Sequence, residues 1–192
     1  MVKNGKLEPL KTRVARIRVD QEGDGILVGN YRGEVIGLAQ QPLINTNTED
    51  DYFDNQVIVK VRGKDGQVIW VEDVECKGSV SLNDVVVDTL GNVIIAGSIR
   101  SEGTMEIGGV KVEGTGNYFN TVIAKLSGET KDIVWGPRVY HINNNWGSSI
   151  AVGILGEVYL AGDFYEKGDF GLAGKLNAGI DNSDGFLLKL RP

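Results

Sequence analysis

Carboxylates, amides and aromatics are the side chains dense enough in this 192-residue chain to do chemistry. The segment Asn45-Thr-Asn-Thr-Glu-Asp50-Asp51-Tyr-Phe-Asp54 crowds oxygen ligands. Asp50, Asp51 and Asp54 are its candidate ligands for Ca2+, a hard cation that takes about six to eight oxygens; the competing reading is a solvated acidic loop. Asp20-Gln-Glu22-Gly-Asp24-Gly25 also alternates acids before a glycine, but its place between two apolar runs favours a polar turn whose side chains cap backbone amides. A third cluster, Tyr140, His141, Asn143, Asn145 and Trp146, sets amides beside aromatic rings. That pairing suits a carbohydrate.

Much chemistry is excluded. His141 is the only histidine, so histidine metal clusters and two-histidine acid–base pairs are ruled out. Cys76 is the only cysteine, so no disulfide forms within the chain, and it reads as a buried small side chain. Nucleophile-elbow, phosphate-loop and dinucleotide glycine motifs are missing. The net charge is −6 and no basic stripe occurs, which argues against nucleic acid and anionic membrane as partners. The apolar runs are too short to span a bilayer. Residues 1–6 lack an apolar signal region, and the compartment stays unassigned.

The elements that must position these residues recur along the chain. Gly25-Ile-Leu-Val-Gly29, Asn92-Val-Ile-Ile-Ala-Gly97 and Glu157-Val-Tyr-Leu-Ala-Gly162 close on glycines 68 and 65 residues apart. Lys60, Lys125 and Lys189 end a second recurring segment, spaced by 65 and 64, and Trp70 and Trp135 repeat at 65. Such self-similarity marks a repeat architecture. Val, Ile and Tyr fill the recurring runs and Gly-rich turns separate them, as short antiparallel strands require. The chain is therefore predicted to be all-β: three repeats of a four-stranded antiparallel blade, propeller-like, within one domain. The units span about 12–76, 77–141 and 142–192, with 1–11 as a closing strand. In unit two the strands fall at Leu82–Asp88, Val93–Ser98, Thr121–Leu126 and Ile133–Tyr140. The third unit stops before a fourth strand. Residues 32–55, 99–120 and 164–184 read as long variable connections that present a binding surface. The recurring lysines either line a channel or each pair with a strand carboxylate, and pairing is the preferred reading.

At Asp88, Gly91, Asn92, Gly97 and Ala124-Lys125-Leu126, and again at Tyr159, Gly162 and Asp184-Gly-Phe186-Leu-Leu-Lys189-Leu, the chain resembles the SBBP-type β-propeller repeat family. Trp70 and Trp135 are similar to the docking tryptophans of quinoprotein propellers. The resemblance implies propeller blades and says little about activity. Three blades leave two apolar faces uncovered, so a partial or dimer-completed propeller is expected, partnered by a second copy or by neighbouring propeller repeats. The function expected is a non-catalytic scaffold for protein or ligand binding and assembly, with no cofactor apart from the Ca2+ candidate. The alternatives are a lectin-like module and an enzyme fragment, a lyase or hydrolase, using loop carboxylates.

Overall fold

The computed structural model describes residues 2–3, 6–7, 12–35, 43–45, 54–115, 119–144 and 149–190. It is all-β, with no α-helix among them. The first part of the chain forms β1 (Val2–Lys3), β2 (Lys6–Leu7), β3 (Thr12–Val19), β4 (Gly25–Tyr31), β5 (Glu34–Val35), β6 (Leu43–Ile44), β7 (Asn55–Val61) and β8 (Val68–Lys77). The middle forms β9 (Val80–Val87), β10 (Val93–Arg100), β11 (Thr104–Ile107), β12 (Val110–Glu113), β13 (Phe119–Leu126) and β14 (Ile133–Asn144). The last part forms β15 (Ser149–Val152), β16 (Val158–Tyr165), β17 (Lys167–Asp169), a 3-10 turn at Gly171–Ala173, β18 (Lys175–Asn177) and β19 (Ser183–Leu190).

Three antiparallel meanders carry the fold: β3-β4-β7-β8, β9-β10-β13-β14 and β15-β16-β19. Their first hairpins turn alike. Gly23, Gly91 and Gly156 have φ of 84°, 79° and 84°, a left-handed conformation that glycine adopts without the Cβ penalty. In each turn the amide two residues before the second strand donates to the carbonyl of the residue just after the first: Gly23 to Asp20, Gly91 to Asp88, Gly156 to Gly153. Gly29 and Gly97 have a different reason. A Cβ at either would fall on the carbonyl oxygen of the neighbouring strand, Arg13 or Ser81, where the ladder slips by one residue.

The meanders stack in order through two apolar layers. Ile26 and Val28 of β4 meet Val93 and Ile95 of β10 in one core, and Ile94 and Ala96 on the other face of β10 meet Val158 and Leu160 of β16 in the next. Strict alternation of side chains across each strand makes this possible, since one central strand feeds both layers. Two of the connections expected to be free loops are hairpins instead. β11–β12 pairs with β8, and β17–β18 pairs with β14, so each adds two strands to the outer edge of the preceding sheet. Gly108 and Gly109, both at positive φ, make the tight turn between β11 and β12, and Met105 and Ile107 point into the core. Residues 99–115 and 164–184 thus clamp successive sheets together.

Candidate functional site

The recurring lysines are paired. Lys60 Nζ lies 3.0 Å from Asp20 Oδ2 and 3.7 Å from Asp24 Oδ2, and Lys125 Nζ lies 2.7 Å from Asp88 Oδ2. Lys189 Nζ, on an exposed side chain, lies 3.5 Å from Glu157 Oε1. The carboxylates of the first two pairs are anchored from behind by the hairpin turn: Glu22 and Asp24 amides donate to Asp20, and Leu90 and Asn92 amides donate to Asp88. Burial pushes both carboxyls up, but the lysine, the turn amides and, for Asp88, the Asn92 side chain outweigh it and hold both below the usual carboxylate range. Such groups stay ionised and compensated, which suits structure and makes them poor proton donors.

Asp20, Glu22 and Asp24 bring three carboxylate oxygens within 4.8 Å of one another. The Lys60 ammonium sits against two of them, and Asp24 Oδ1 accepts the Gly63 amide. The charge of this cluster is met by a side chain of the protein itself. Around it the three first hairpins converge: Val19, Asp20, Val87, Asp88, Val152 and Gly153, at matching positions of the three meanders, line a depression of about 290 Å³. Its side chains are aliphatic apart from Gln21, Thr89 and two carboxylates already paired with lysine.

Of the residues singled out from sequence, Asp50, Asp51, Asn145 and Trp146 lie outside the described residues. Asp54 Oδ1 accepts from Arg32 Nε at 2.7 Å. His141 and Asn143 lie on β14, where His141 pairs in register with Asp169 of β17. Tyr140, half-buried, packs on the second core and lines a groove of about 920 Å³ between β14 and β19. Tyr140 is thereby placed at a cavity.

Sequence reasoning missed a polar network at the far end of the first meander. The fully buried Tyr31 hydroxyl donates to Asp73 Oδ1 at 2.6 Å and accepts from Asn55 Nδ2 at 3.2 Å, while Asn55 Oδ1 accepts the Cys76 amide. Burial, then the Asp73 contact, drives the Tyr31 phenol well above its usual value, and burial also raises Asp73. Burial pushes the Cys76 thiol up to about 12, so it stays a neutral packing group. The bonded pairs are 21 to 42 positions apart, and no local pattern announces them. Comparison with known proteins adds nothing: no protein family, curated protein or solved structure matches the chain.

Proposed function

We propose that the chain is a non-catalytic scaffold of β-propeller type, each meander a blade, whose work is binding and assembly. The observation that carries this reading is a mismatch of burial between equivalent positions. Leu82 and Val85 of the second meander are 2% and 0% exposed because the first meander covers them, whereas their counterparts Val14 and Ile17 are 60% and 54% exposed. At the other end Leu187 is 73% exposed, and its counterparts Ile58 and Ile123 are fully buried. The stack thus ends on two unlike faces, each the mate of the other. A second copy fits there head to tail, a heterologous contact that closes into a ring if the rotation permits. The buried charges point away from catalysis, since Lys60, Lys125, Asp20, Asp88 and Glu72 are all spent on pairs within or between meanders.

Light scattering over a range of concentrations tests this. Wild-type protein is expected to exceed the 20.8 kDa of one chain, Ile17→Glu and Leu187→Glu to reduce association separately, and a mixture of the two to recover it, because one intact face of each kind remains. A wild-type monomer at every concentration overturns the assembly reading.

A further inference from the structure

β7 and β13 each carry a partner on their outer edge, β8 and β14. β19 occupies the same place in the third meander, in the same register with the strand before it: Gly29↔Val57, Gly97↔Val122 and Gly162↔Phe186. Among the described residues β19 has no strand on its outer edge. Where that strand would run lies the groove of about 920 Å³, lined by Arg138 and Tyr140 of β14, Phe170 and the 3-10 turn, and Leu188, Lys189 and Leu190 of β19. An open row of backbone donors and acceptors beside an apolar trough is the arrangement that takes up an extended peptide.

A second observation is independent of the groove. Trp70 Nε1 donates to Gly128 O in the last turn of the next meander, at 2.9 Å. Its counterpart Trp135 has a buried Nε1 with no acceptor among the described residues. Arg138, in the groove wall, stacks over the Trp135 ring with Cζ 5.2 Å from its centroid. The Trp135 ring packs against the second core beside Arg138, which lines the groove. A buried indole N–H without a partner is costly to keep, and an entering backbone carbonyl would relieve it.

We propose that the outer edge of β19 is a peptide-binding cleft that takes up one extended segment of a partner protein, antiparallel to β19. The pattern of that segment is written in β8 and β14. Position by position it carries an aliphatic residue opposite Leu190, as Val68 and Ile133 stand opposite Val61 and Leu126, and a large aromatic opposite Lys189, as Trp70 and Trp135 stand opposite Lys60 and Lys125. The inference rests on the scaffold reading and adds where its ligand sits and what kind of ligand it is.

The probe is a labelled synthetic peptide with the sequence of residues 131–142, titrated into the full chain and followed by anisotropy and by amide hydrogen exchange. Saturable binding is expected, with alternate amides of β19 slowed. N-methylation of the peptide at the positions facing β19 should weaken it by ~10-fold or more, the effect of losing backbone hydrogen bonds. Arg138→Glu, in the groove wall, should weaken it. No saturable binding, or binding that leaves the β19 amides unprotected, overturns the cleft. Protection of those amides by raising protein concentration without peptide overturns it also, by assigning the edge to a second copy. If the chain assembles through its end faces yet ignores the peptide, the cleft falls and the scaffold stands.

Discussion

A lysine whose ammonium is taken out of water must find its counter-charge nearby, and Lys60 and Lys125 find theirs in the turn that opens their own meander. Removing one partner of such a pair strands the other, at about 3–5 kcal/mol. Lys125→Met is expected to destabilise the protein by about 3 kcal/mol at pH 7, read from denaturant unfolding. The pH dependence follows from the direction of the shifts. Asp20 and Asp88 are held below their unfolded values, so their contribution is complete above the ordinary carboxylate pKa of about 3.9 and is lost as pH falls through the folded values. In Lys125→Met the buried Asp88 loses its counter-charge and protonates more readily, so the gap between wild type and variant should narrow from pH 7 to pH 3. A gap that stays constant would show that Lys125 contributes packing alone. The pairing was legible in sequence because Lys60, Lys125 and Lys189 recur at one strand position, and a recurring buried cation needs a recurring anion. The third pair departs from the other two: Glu157, four residues beyond Gly153, takes the role of Asp88, and Lys189 is exposed.

Strands show how far periodicity reaches and where it stops. The core strands β4, β10 and β16 were visible because each carries three or four consecutive apolar residues before a glycine at one period. The glycines themselves act through space. Gly97 is required because Leu82 and Ser81 pass too close for a Cβ at the bulge, a fact of the neighbouring strand. Gly97→Ala should cost about 2–3 kcal/mol, as overpacking against backbone does, whereas Gly91→Ala, with nothing near its missing Cβ, should cost only the strain of its positive φ, about 1 kcal/mol. Equal losses at the two sites, measured by thermal or denaturant unfolding, would remove the close-approach argument. The hairpins β11–β12 and β17–β18 were not legible. Each strand has only three or four residues, and its pairing partner belongs to the preceding meander, so nothing local separates it from a polar loop. The Ca2+ candidate fares differently, since Asp54 is engaged by Arg32 and its two companions fall outside the described residues.

At the scale of the whole molecule one side chain ties all three meanders. Asp84 of β9 is 6% exposed. Its Oδ1 accepts from Arg18 of β3 at 2.9 Å, and its Oδ2 accepts the Ile150 amide of β15 at 3.1 Å. The two contacts differ in worth. Arg18 is 40% exposed in its side chain, so solvent screens that pair and Arg18→Met should cost under about 1 kcal/mol. The Ile150 amide is buried, and its loss leaves an orphan donor at about 1–3 kcal/mol. Asp84→Ala should therefore destabilise clearly more than Arg18→Met, and the excess should be local. Hydrogen exchange is expected to speed up in β15, β16 and β19 while β4 and β7 keep their protection, because the third meander is tied to the second by Asp84, one apolar layer and the short β14–β17 ladder. The first is held to the second by more: the Gln56 amide bridging Val80 O and the Leu82 amide, Glu72 receiving both Lys131 and the Gly108 amide, and the β8–β11 ladder. Uniform loss of protection across the three meanders in Asp84→Ala would mean that they unfold as one unit, and the picture of a stack weakest at its third member would have to be abandoned.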